Sequence, residues 1–174
     1  MENHLQTHIL NHLLNNEDYC RRVVPYLRKE YFEGTHKVVF DLITRFVSKH
    51  NKLPTAKVLQ LELRKISAPE DVLNNSATLI KEIAIKSEVD TEYLVKESEN
   101  WCRDRAVHNA IMDSISIIDG KDSERSEGSI PEILSEALGV SFDQQIGHDI
   151  SMILMIGLIF IPRRNLGFHL IWIT

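Results

Sequence analysis

Residues 1–149 predict an all-α protein. Apolar residues recur at helical spacing along nearly the whole stretch. No strand-type alternation of useful length appears, and polar, Gly or Pro punctuation separates the periodic segments. Roughly seven helices follow from that pattern.

Leu5, Ile9, Leu10, Leu13 and Leu14 keep helical spacing, and Asn15-Asn16 ends the first run. Asp18 to Leu27 reads as a second, short helix interrupted by Pro25. Val39, Leu42, Ile43, Phe46 and Val47 form the stripe of a core-facing helix that starts at Gly34-Thr35 and ends within Asn51 to Pro54. Thr55 is placed to cap a helix through Leu59 and Leu63 to Ile66. Ser67 and Glu70 have capping-box spacing for the next, with Leu73, Ala77, Ile80 and Ala84 on one face. Asp90 or Thr91 opens a long helix to about Ile118, whose second half carries Val107, Ala110, Ile111, Ser114, Ile115 and Ile118 on one stripe. Asp119 to Gly128 is polar and Gly-bounded, a flexible connection. Ser129 and Glu132 then have capping-box spacing for a short helix over 130–138, which Gly139 closes.

Composition changes abruptly at Asp149/Ile150. All 25 acids and 18 of the 20 Lys and Arg lie upstream, a net charge of −7 for residues 1–149. Ile150 to Thr174 holds sixteen apolar side chains among twenty-five residues and only Arg163 and Arg164 as charges. An acidic body argues against a general polyanion binder, because nucleic-acid affinity rests on neutralising phosphates. Cys20 and Cys102, with no CxxC pair, fit a reducing compartment, and the Met-Glu-Asn-His start lacks the basic opening of a secretory signal.

The seven glycines form no G-x-x-x-x-G-K-[ST] loop, so the backbone cradle of a P-loop ATPase is absent from this stretch. G-x-S-x-G and H-E-x-x-H are absent as well. His4, His8 and His12 recur every fourth residue and could face a metal together, but no Cys or acid at ligand spacing completes a set. The plainer expectation puts them along the solvent edge of the Leu5, Ile9, Leu13 stripe. Trp101 and Cys102 read first as core and second as contacts for a partner helix.

Ile9-Leu-Asn-His-Leu-Leu14, Tyr26-Leu27, Glu30-Tyr-Phe32, His36-Lys-Val-Val-Phe-Asp-Leu-Ile43, Leu53-Pro-Thr55 and Val58-Leu59 together resemble the N-terminal domain of DnaB-like replicative helicases. Tyr93-Leu-Val-Lys-Glu-Ser-Glu99, Arg105-Ala106, Asn109-Ala110, Gly128-Ser-Ile-Pro-Glu-Ile133, Ala137-Leu138, Ser141-Phe-Asp143 and Gly147-His-Asp149 look like the T-even-type phage branch of that family. The order and spacing of these segments make the set specific. The resemblance implies a multi-helix head plus a long helical hairpin, over 1–118, and a linker over 119–149. In that family such a domain builds the collar of a hexamer and docks DNA primase. A separate motor domain uses ATP and magnesium and pulls single-stranded DNA. By that likeness the long helix is a surface for self-association or a partner, with Tyr93, Leu94, Trp101, Val107, Ile111 and Ile115 as its residues. No catalytic, cofactor or metal residue carries over, and the host cytoplasm is the implied location.

The tail at 150–174 admits two readings. As an anchor, Met152 to Ile161 is well short of the roughly 20 apolar residues needed to span a bilayer, and Pro162-Arg163-Arg164 interrupts it. As a frameshift, one base lost after the Asp149 codon would convert every restored Ile or Met position to Tyr, His, Asn or Asp. The G that ends Met152, Met155 and Trp172 codons then forces Asp at the partners of Ile153, Ile156 and Ile173. The frameshift accounts better for the inverted hydropathy. Genomic reads through codons 149–150 should show an extra base opening toward a P-loop; a clean frame ending at Thr174 contradicts that. As translated, the run should promote aggregation or membrane binding. Two other expectations compete with the collar: a free-standing helical adaptor of the replisome, and a membrane-associated helical protein with a real anchor.

Overall fold

A computed structural model describes residues 2–122 and 124–142. Among these residues there are seven α-helices and no strand, so the chain is all-α. The apolar tail and the end of the linker, from 143 onward, lie outside the described residues, and so do the anchor and frameshift readings.

The first helix, α1 (Glu2–Asn15), packs against α2 (Glu17–Val23), α3 (Gly34–His50), α5 (Glu70–Ile83) and α6 (Thr91–Ile118). Its Ile9, Leu10 and Leu13 are fully buried, as helical spacing predicts. Asn16 caps α2 by accepting from the Tyr19 N–H. The α-helix then stops at Val23, and Pro25 sits in a single 3-10 turn, Val24–Tyr26, because its ring denies the helix a backbone N–H. The second predicted helix is therefore shorter than Asp18 to Leu27.

In α3, Val39, Phe40, Leu42, Ile43 and Val47 face the core while Phe46 is only half-buried. Asn51 ends the helix in the left-handed conformation, φ 52°, which asparagine tolerates better than most residues with a Cβ. Thr55 accepts from the Val58 N–H and opens α4 (Ala56–Leu63), which ends one turn earlier than Ile66. Each fully buried Leu or Ile here is worth about 1.5–3 kcal/mol relative to an exposed one.

Two capping boxes do not form. At α5 the N-cap is Pro69, so Ser67 stands too early to cap. At α7 (Ile130–Leu138) Ser129 ends a 3-10 turn in helical backbone, and its hydroxyl donates instead to the Ser126 carbonyl at 2.7 Å. The buried face of α5 also differs from the predicted stripe. Ser76, Leu79, Ile80 and Ile83 point inward, Leu73 and Ala77 flank them, and Ala84 is exposed beyond the last turn. Burying Leu79 and Ile83 removes far more apolar surface from water than burying alanines would.

Asp90 caps α6 through the Tyr93 N–H at 2.8 Å. The helix ends in a Schellman motif: the Gly120 N–H reaches the Ile117 carbonyl at 3.0 Å and the Lys121 N–H that of Ser116 at 2.9 Å. Gly120 holds φ 69°, a value costly for any residue with a Cβ. The connection expected to be flexible is tied down at both of its described ends. Asp122 accepts from the backbone of Glu124 and Arg125, and Arg125 pairs with Asp122 and with Asp113 of α6. Residues of α7 then pack back along α6.

Candidate self-association surface

The long helix takes its orientation from an aromatic cluster. Trp101 meets the rings of Phe32 (centroids 4.9 Å apart) and Tyr31 (6.2 Å), both edge-on, while Phe32 stacks on Phe40 at 4.4 Å. The Glu30-Tyr-Phe32 turn thereby fastens α3 to α6. Below it, the Tyr19 and Ser98 hydroxyls bond at 2.6 Å, and burial pushes the Tyr19 phenol above its ordinary range. Cys20 and Cys102 are buried free thiols, each pushed up to about 12, chiefly by loss of solvent. Arg22 forks onto the Glu92 carboxylate, and Arg105 reaches Glu33 at 2.6 Å, closing the edges of the same contact.

Past Arg105 the arrangement inverts. The inward positions of α6 become Ala106, Ala110, Ser114 and Ile117, mostly small. The large side chains face solvent: Ile111 is 47% exposed, Met112 53%, Ile115 46% and Ile118 62%. Ile111, Ile115 and Ile118, three, four and seven residues apart, make one stripe about 10 Å long at 1.5 Å per residue, with Met112 at its flank, three residues before Ile115. The predicted stripe is therefore split. Ala110 and Ser114 lie inside, where small residues let neighbours approach, while the branched side chains lie outside.

Of the six residues predicted for association, Val107, Ile111 and Ile115 share this face, with Val107 half-buried against the core. Ile118, which the predicted stripe already held, and Met112, which it left out, join them. Tyr93 is exposed but sits about 27 Å away along the axis. Leu94 and Trp101 lie inside the chain's own core, so they support the helix rather than present themselves. Leu138 on α7 is exposed as well.

The exit from the helical body is pinned by Glu99. Its Oε1 accepts from the Ser141 hydroxyl (3.0 Å), the Phe142 N–H (3.1 Å) and Arg103 (3.3 Å), and Arg103 Nε donates to the Val140 carbonyl. The Phe142 ring stacks on Tyr26 at 4.4 Å. Three donors on one carboxylate oxygen explain why Ser141-Phe142 returns to the first half of α6.

No group of three or more metal-ligating side chains occurs among the described residues. His12 is buried rather than at the solvent edge, its ring against the carbonyls of His8 and Val89, both at 3.1 Å. Asn11 and Asn15 join it in holding the loop before α6. The Asn11 amide donates to the Ile83 and Ile85 carbonyls and accepts from the Ser87 N–H; Asn15 also donates to Ile83. No described helix is long and apolar enough to cross a membrane.

No family model matches the chain. A DnaB-like replicative helicase of Enterobacteria phage T4 is 35% identical over 150 residues, an alignment that covers 81% of this chain. The chain is a relative of the DnaB-like replicative helicases. It spans 31% of the length of the curated relative it matches.

Proposed function

We propose that this chain is the oligomerisation and primase-docking part of a phage replicative hexameric helicase, placed before the ATP-driven motor. The observation that carries the reading is the solvent-facing stripe Ile111, Met112, Ile115 and Ile118 on a helix held rigidly by its first half. A contiguous apolar face on an acidic domain marks a protein contact. A second copy offering the same stripe buries both sets in one symmetric interface. In this reading ATP, magnesium and single-stranded DNA are handled by the motor domain, and residues 1–174 hydrolyse no ATP. The host cytoplasm is then the working compartment.

Light scattering on size-exclusion fractions of the full chain tests this. The expected result is a concentration-dependent dimer or larger ring that Ile111→Glu with Ile115→Glu returns to monomer, helicity unchanged. Adding the cognate phage primase should shift the unsubstituted chain to a larger complex. A chain that stays monomeric at high concentration and ignores primase counts against the proposal.

A further inference from the structure

Helices α4 and α5 enclose an open groove of about 330 Å³, at the lower end of clefts that hold ligands. Leu63 is buried at its base, with Leu73 and Ala77 half-buried beside it, and Gln60 and Asn74 contribute amides. Arg64 stands on the α4 side and Lys81 on the α5 side, both exposed.

The charged side chains that line this groove are both basic. The chain carries 25 acids against 20 bases, yet no carboxylate lines the groove. Elsewhere Arg21, Arg22, Arg45, Lys65, Arg103 and Arg125 each hold an acid partner. Arg64 and Lys81 hold none among the described residues, as is also true of Lys37, Lys52, Lys57, Lys86 and Lys96, but these two stand together on one groove that no carboxylate lines. An apolar base between two unneutralised cations is complementary to a helix that carries leucine-like side chains along one face and carboxylates beside them.

We propose that the α4–α5 groove docks an acidic amphipathic helix from a partner protein, its apolar side chains against Leu63, Leu73 and Ala77 and its carboxylates on Arg64 and Lys81. A nucleic acid fits poorly, because two cations neutralise few phosphates and the acidic body repels the rest. The site is separate from the α6 stripe and does not depend on the collar reading.

The test titrates the full chain into a fluorescein-labelled helical peptide with Glu at i and i+4 and Leu at i+3 and i+7, read by anisotropy. Saturable binding is expected, weakened at least tenfold by Arg64→Glu with Lys81→Glu while circular dichroism is unchanged. The double variant should instead take the same peptide with Lys in place of Glu. Asn74→Trp, which fills the groove from an exposed position, should abolish binding, so a folding defect in the charge variant leaves the proposal open to refutation. No saturable binding overturns it, as does equal affinity for a Gln-substituted peptide, indifference to both variants, or displacement of the peptide by a thymidine dodecamer. Ile111→Glu with Ile115→Glu should leave this binding intact, which separates its failure from that of the self-association reading.

Discussion

The two halves of α6 differ in where their largest side chains lie: Leu94 and Trp101 are buried, while Ile111, Met112, Ile115 and Ile118 are exposed. From Leu94 to Cys102 the inward positions include the large Leu94 and Trp101 beside Ser98 and Cys102; from Ala106 to Ser114 they are all small, and the large side chains look outward. One helix thus has an anchoring end and a presenting end. Stability should concentrate in the first and association in the second, and substitutions can separate them.

The largest effect should come from Trp101→Ala. The indole touches Tyr31 and Phe32 and has no acceptor for its N–H among the described residues, so the loss is one of packing rather than hydrogen bonding. A cavity of that size costs about 3–5 kcal/mol. Urea unfolding followed by circular dichroism should show the midpoint collapse. A small shift would mean that the head does not depend on this contact, and the contrast between the halves would fail.

An intermediate effect should appear with pH. His36 joins α3 to α1 through Thr7, at 3.0 Å. Burial holds its imidazole below the ordinary value of about 6.5, with Glu82 pulling weakly the other way. A depressed histidine binds fewer protons folded than unfolded. Its stabilising share is therefore intact above about pH 6.5 and is lost as the pH falls below that value toward the folded one. The urea midpoint should drop over that window, and His36→Gln should flatten the dependence. Equal slopes in the two proteins would show that His36 does not carry the pH dependence.

How much of this was legible depends on where the determining contact lies. Thr55, Asp90 and Asn51 act on their own helix ends, and local sequence was enough to place them. Ser67 and Ser129 have the same local pattern and fail, because Pro69 takes the N-cap position and the turn before Ile130 is already helical. His12 looked solvent-facing because its partner, the Val89 carbonyl, is 77 residues away. Glu99 gave no signal for the same reason: its donors Ser141 and Phe142 come from the far side of α7. Periodicity made the α6 stripe legible as apolar, and only the family resemblance offered Val107, Ile111 and Ile115 as a partner surface. Periodicity reports that residues share a face, not whether this chain supplies what covers it.

That distinction makes Ile115→Gln the sharpest test, although its effect on stability should be the smallest. Ile115 is 46% exposed, so the isolated fold gains little from it. Substitutions at such surface positions usually stay within about 0.5 kcal/mol. If the stripe belongs to an interface, the urea midpoint of dilute protein should hardly move. At high concentration the unsubstituted chain should gain stability by mass action, and the variant should not. A loss of several kcal/mol at low concentration would instead mean that Ile115 is packed within its own chain. Both halves of α6 would then be anchors, and nothing on this helix would remain to present.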